Sequence, residues 1–254
     1  MMRRTMLLMA TMELTLLVAS GVALAVTKIG GPGPNTLRGT NGADNLLGRG
    51  GNDALFGLGG SDNLLGEEGN DWVLGGNEGN PQGGDKNLLG GPGNDGVLGG
   101  LGSDNMVGGS GNDFVAGEEG SDNLVGGEGR DLVDGWKGSD RMLGEGGSDW
   151  IVDDGFREFS KDVLSGGSGN DVLDAWHKPA AVQDVVTCGS GFDRVIVDRA
   201  DLVAADCEKV VVVHGSLEDS FRQAERWFAS LPQSQREFFF DTLFDEHLAP
   251  FPGE

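Results

Sequence analysis

The sequence predicts an all-β protein: a flattened, right-handed parallel solenoid with two nine-residue units per turn and a short α-helical cap at its C-terminus. Three observations predict it. From Gly90 to Val152 the chain reads GGPGNDGVL, GGLGSDNMV, GGSGNDFVA, GEEGSDNLV, GGEGRDLVD, GWKGSDRML and GEGGSDWIV, without insertion. These are seven units of G-x-x-G-x-D-x-U-x, with U aliphatic or Met, and such a fixed period signals stacked repeats. The residue after each Asp alternates between two kinds. Asn45, Asn63, Asn87, Asn105, Asn123 and Arg141 form one set; Ala54, Trp72, Gly96, Phe114, Leu132 and Trp150 form the other. The structural repeat is therefore 18 residues, with two faces of different chemistry. Finally, the glycine rhythm stops near residue 213, and apolar residues take helical spacing.

The elements follow in chain order. Residues 1–25 have a basic start at Arg3 and Arg4, an apolar stretch from Met6 to Val22 interrupted by Glu13, and Ala23-Leu24-Ala25 before Val26. This is the pattern of a cleaved secretory signal, the alternative being a retained membrane anchor. Residues 26–152 form the regular solenoid. Its first five units are GGPGPNTLR, GTNGADNLL, GRGGNDALF, GLGGSDNLL and GEEGNDWVL, and Asn35 in place of Asp suggests a capping turn. Gly75 to Leu89 is one unit with six extra residues, with Lys86 read at the Asp position. Glycine at the first and fourth positions points to φ > 0 or to close approach of neighbouring turns. The apolar eighth position fits a very short strand with one inward side chain.

Residues 153–213 hold looser turns. Asp162, Asp171, Asp184 and Asp193 keep the D-x-U core, and Val210 to Val213 is a candidate last strand. Cys188 and Cys207 would pair in an oxidising compartment or remain two buried thiols. In residues 214–254, Ser216 to Asp219 resembles a helix start, and Phe221, Ala224, Trp227, Phe228 and Leu231 share one helical face before Pro232. A second helix is expected from Gln233 to His247. Solenoid ends expose apolar surface, so this pair reads as a cap, or else as a partner-binding tail.

Charge narrows the function. The 254 residues carry 41 acidic and 18 basic side chains, a net charge of -23. Such a field repels nucleic acid and anionic membrane surfaces. A carboxylate every nine residues in stacked turns places like charges a few ångströms apart, which calls for a counter-ion. Asp44, Asp53, Asp62, Asp71, Asp95, Asp104, Asp113, Asp122, Asp131, Asp140, Asp149 and Asp171 are the candidate metal ligands. Calcium accepts six to eight oxygens, backbone carbonyls included, and glycine turns leave carbonyls accessible. No thiolate or histidine cluster accompanies the Asp residues, which disfavours zinc. Several Ca2+ ions are the expected cofactor.

The repeats strongly resemble the RTX family of glycine- and aspartate-rich nonapeptides, over Gly30 to Val152 and in part over Gly166 to Val195. The resemblance implies a parallel β-roll with calcium held between Asp carboxylates two repeats apart and turn carbonyls. One edge would pair Asp53 with Asp71, Asp71 with Asp95, Asp95 with Asp113, Asp113 with Asp131 and Asp131 with Asp149. The other would pair Asp44 with Asp62, Asp104 with Asp122 and Asp122 with Asp140, with Lys86 spoiling the sites between. Many RTX proteins leave the cell through an uncleaved C-terminal signal; this chain looks like a relative exported by an N-terminal one, and so extracellular, with no membrane partner after cleavage.

No G-x-S-x-G, H-E-x-x-H or Walker loop is present, and His177, His214 and His247 lie far apart, so no enzyme is expected. The alternative to a calcium-binding module is calcium-dependent adhesion to an extracellular protein or glycan. Trp72, Phe114, Leu132 and Trp150 would be the exposed contact row, unless the C-terminal helices lie over them. The Asn row on the other sheet reads as a solvated ladder. Without calcium the chain is expected to be disordered, as its glycine and charge content favour.

Overall fold

The computed structural model describes residues 24–76, 84–85, 87–153, 160–176 and 182–213. The N-terminal segment and the expected C-terminal helices lie outside these residues, as do all three histidines. Among the described residues there is no helix long and apolar enough to cross a membrane.

The chain winds into two ten-stranded parallel sheets, and consecutive strands alternate between them. The first sheet runs from Thr27–Ile29 to Leu202–Val203, the second from Thr36–Arg38 to Lys209–Val212. Nine spacings of about 4.8 Å make the stack roughly 43 Å long. The register repeats the 18-residue period: Asn105 pairs with Asn123, and Phe114 with Leu132. It absorbs the longer units without slipping, since Asn63 pairs with Asn87 and Trp150 with Val172.

The alternation of side chains explains the sequence pattern. Along Asn45–Gly50, burial alternates so that Leu46 and Gly48 face inward. The eighth and first positions thus both point into the roll, and in the first sheet most strands run to six or seven residues. Eighth-position side chains stack in a single column per sheet and fill the core: Leu46, Leu64, Leu88, Met106, Leu124 and Met142 in one, Leu55, Val73, Val97, Val115, Val133 and Ile151 in the other. Buried apolar area is worth about 25 cal/mol per Å2, which gives these residues the main share of the apolar contribution.

First-position glycines are required by crowding. A Cβ on Gly48 would lie 2.4 Å from Asp53 Oδ2 and 2.7 Å from the Gly66 carbonyl oxygen. Most fourth-position glycines are required by conformation, as at Gly111 with φ 133°. The second position adopts positive φ even without glycine, at Arg49, Leu58, Glu67, Glu118, Trp136 and Glu145.

Where the long unit enters, the structure differs from the sequence reading. Asp85, 8% exposed, occupies the Asp position. Gly84 sits directly before the Asp position, where its carbonyl accepts a hydrogen bond from Ser61 Oγ. Lys86 lies outside the described residues, and the carboxylate series continues through this turn. The extra residues divide around Asp85, most of them before it and one between Asp85 and the strand that begins at Asn87.

Candidate metal centre

Each unit delivers one Asp to the corner where a turn enters a strand. Because strands alternate between sheets, successive Asp residues reach opposite edges, and residues two units apart stack. The stacked residues are joined in a ladder. On one edge, Asp71 Oδ1 accepts from the Asp53 N–H at 2.7 Å, Asp95 from Asp71 at 2.7 Å and Asp113 from Asp95 at 2.8 Å. The series goes on through Asp131, Asp149, Asp171 and Asp193 at 2.8 to 3.0 Å. On the other edge, Asp62 accepts from Asp44, Asp85 from Asp62 and Asp104 from Asp85, at 2.7, 2.7 and 2.5 Å. Asp122, Asp140, Asp162 and Asp184 extend it at 2.6 to 2.9 Å.

Three of the four ladder ends are made by other groups, and the fourth by Asp201, whose Oδ1 accepts from the Asp184 N–H at 3.2 Å. Asn35 starts one edge by donating its N–H to Asp53 at 2.7 Å, in keeping with a capping turn. Val26 starts the other by donating to Asp44 at 2.6 Å. Glu208 closes the first edge, its Oε2 accepting from the Asp193 N–H at 2.9 Å.

One oxygen of each carboxylate is thus engaged. The second is not. Oδ2 of Asp53, Asp71, Asp95, Asp113, Asp131 and Asp149, and of Asp62, Asp104 and Asp122 opposite, is buried without a hydrogen-bond partner. The pattern changes at Asp44, whose Oδ2 accepts from the Thr40 N–H at 2.5 Å. An unmatched buried polar atom costs about 1–3 kcal/mol, and more when charged. A row of them requires neutralisation by protons or cations.

The electrostatics agree. Burial pushes Asp95, Asp122 and Asp131 up to about 8 from an ordinary 3.8, against the lowering effect of the N–H each accepts. Neighbouring Asp residues on the ladder raise these three further. Burial likewise takes Asp62, Asp113 and Asp149 to about 7 and Asp71, Asp85, Asp104 and Asp171 to about 6.

The donor set fits calcium. Beside most of these Oδ2 atoms stands a first-position glycine carbonyl from the next turn. A Cβ at Gly117 would meet Asp122 Oδ2 at 2.6 Å and the Gly135 carbonyl at 2.7 Å; at Gly144 it would meet Asp149 Oδ2 at 2.4 Å and the Gly166 carbonyl at 2.6 Å. The available ligands are hard oxygens from carboxylate and carbonyl, which suit calcium and give zinc neither sulfur nor imidazole.

All twelve Asp residues singled out from the sequence lie on the two edges. Sequence reasoning missed Asp85, Asp153, Asp162, Asp184 and Asp193, which are buried with them. The D-x-U triplets at Asp162, Asp184 and Asp193 carried the signal; irregular loop lengths obscured it.

The aromatic row is not the freely exposed strip expected. Leu132 is only 7% exposed, and Trp72, Phe114 and Trp150 are half-buried. Gly96 contributes, because its missing side chain leaves room for the Trp72 ring, whose nearest atoms come within 2.6 Å of where a Cβ would sit. The Asn row on the other sheet is a half-buried amide ladder, Asn87 Nδ2 donating to Asn63 Oδ1 at 2.9 Å and Asn123 to Asn105 at 2.9 Å. Cys188 and Cys207 form a disulfide across a separation of 19 residues, joining the last turns.

Comparison with known proteins agrees with this geometry. The model of the RTX calcium-binding nonapeptide repeat (4 copies) matches residues 29–64, 56–78, 83–115, 116–151 and 160–176, together more than half of the chain. No curated protein matches the chain.

Proposed function

The chain belongs to the RTX calcium-binding nonapeptide repeat family, and from that premise we propose that it is a secreted protein whose roll folds on calcium. The ligands are Asp44, Asp53, Asp62, Asp71, Asp95, Asp104, Asp113, Asp122, Asp131, Asp140, Asp149 and Asp171, now joined by Asp85, with turn carbonyls completing each shell. The carrying observation is the double row of buried carboxylates, in which Oδ2 of Asp53, Asp62, Asp71, Asp95, Asp104, Asp113, Asp122, Asp131 and Asp149 is left without a hydrogen-bond partner by the protein itself. Calcium supplies the positive charge that lets these groups ionise in place. Binding free energy then becomes folding free energy.

Export is supported by the basic start, apolar stretch and Ala23-Leu24-Ala25 of the first 25 residues, and by the disulfide, which persists in oxidising surroundings. Calcium at about 10⁻⁴–10⁻³ M, as extracellular modules require, would then fill the sites. The role is binding and structural rather than catalytic.

Circular dichroism at pH 7.5 tests the reading. The strand signal is expected in millimolar calcium and lost in excess chelator, with recovery on adding calcium back. A strand-rich spectrum that survives chelation unchanged would sink it.

A further inference from the structure

At one turn a third carboxylate enters the ladder. The first position of each unit faces inward and is glycine in every unit from Gly30 to Val152. Past that point it is taken in turn by Asp153, Gly166, Ala175, Cys188 and Val197. Ala175, Cys188 and Val197 join the apolar core at 0, 0 and 1% exposure. Asp153 instead brings a carboxylate into an inward slot, at 2% exposure. Its backbone N–H donates to the Asp174 carbonyl at 2.9 Å, so the sheet register holds it there.

Two ladder residues meet it. Asp162 belongs to the same unit and Asp184 to the next turn; they are 1 and 0% exposed. Asp162 Oδ1 accepts from the Asp140 N–H at 2.6 Å, and its own N–H donates to Asp184 Oδ1 at 2.9 Å. Oxygens from Asp153, Asp162 and Asp184 lie within 4.8 Å of one another, the only such group among the described residues. Asp162 Oδ2 is buried and the protein offers it no N–H or hydroxyl donor, its side-chain partner being the Asp153 carboxyl of the same group. The ladder bonds fix where the oxygens of Asp162 stand, so little reorganisation is needed to use them.

We propose that Asp153, Asp162 and Asp184 form a distinct cation site, richer in carboxylate than the regular inter-turn sites, and that it holds the most tightly bound calcium of the roll. The inference rests on the calcium reading of the ladder. Elsewhere the first position is glycine or an apolar side chain that joins the core; here it adds a third anionic oxygen ligand. Calcium affinity in oxygen sites rises with the number of charged ligands and with site rigidity. The last ion removed by a chelator, and the first taken up, therefore belongs to this turn.

The test compares the full chain with D153G, which restores the glycine of the other units, and with D153N, which keeps the side-chain shape. Each protein is dialysed against graded chelator, and bound calcium is counted by elemental analysis. The wild type should retain about one ion after the rest are stripped, with affinity about tenfold or more above the others. Both variants should lose that ion and keep the remainder, with an unchanged strand spectrum in calcium. If D153G folds poorly, D153N carries the comparison. Variants holding the same number of ions with the same affinities overturn the proposal, as does tighter binding on removal of Asp153. A wild type that binds no calcium overturns the proposed function itself. Uniform binding that both variants leave unchanged overturns only the site.

Discussion

Stripping calcium reverses the usual effect of acid on this protein. Asp95, Asp122 and Asp131 are pushed to about 8 by burial, and Asp62, Asp113 and Asp149 to about 7, from 3.8. A carboxyl whose folded value is raised contributes stability that is fully present below its unfolded value and lost as pH rises through the folded one. Between those limits each pH unit removes about 1.4 kcal/mol per carboxyl. From pH 5 to pH 7, Asp131 alone accounts for about 3 kcal/mol. Several such residues exceed the whole stability of a typical domain, about 5–15 kcal/mol. In chelator, then, the roll should be unfolded at pH 8 and gain stability steadily towards pH 5. In saturating calcium the trend should invert, because protons compete with the ion for the same oxygens. Thermal melts followed by circular dichroism, at half-unit steps from pH 5 to pH 8 with and without chelator, measure both. A chelated chain whose midpoint is flat, or falls on acidification, would refute the reasoning.

Three further outcomes are expected. Gly117→Ala places a methyl 2.6 Å from Asp122 Oδ2 and 2.7 Å from the Gly135 carbonyl, and should cost about 3 kcal/mol in urea melts with calcium present. Cys188→Ser opens the loop closed by the 19-residue separation and should lower stability by about 3 kcal/mol, matched by reductant on the wild type. Glu118→Gly relieves a left-handed residue at φ 71° and should raise stability by about 0.5–1 kcal/mol, a gain visible as a higher urea midpoint.

Much of this protein was legible in its sequence because a solenoid translates each position of the unit along one axis. The phase of Leu124 and Val133 alone assigns them to the core, and the alternation of Asn123 with Leu132 alone separates two sheets. The ladder residues were legible for the same reason. Asp85 was not, because counting along an interrupted unit cannot say on which side of the Asp the extra residues fall. Only the backbone hydrogen bonds from Asp62 and to Asp104 decide it. The inward direction of the first position was hidden too, since glycine has no side chain to reveal it; Asp153, Ala175, Cys188 and Val197 acquire meaning once the strand pleat is known. The aromatic row shows the remaining limit. Periodicity places Trp72, Phe114, Leu132 and Trp150 on one outward face, but the exposure of a face depends on what packs beside and over it, and that is a property of three-dimensional packing rather than of spacing. The repeat by itself determined which residues share a column; the tertiary structure decided which oxygens are left unmatched inside it, and at Asp153 where three of them meet.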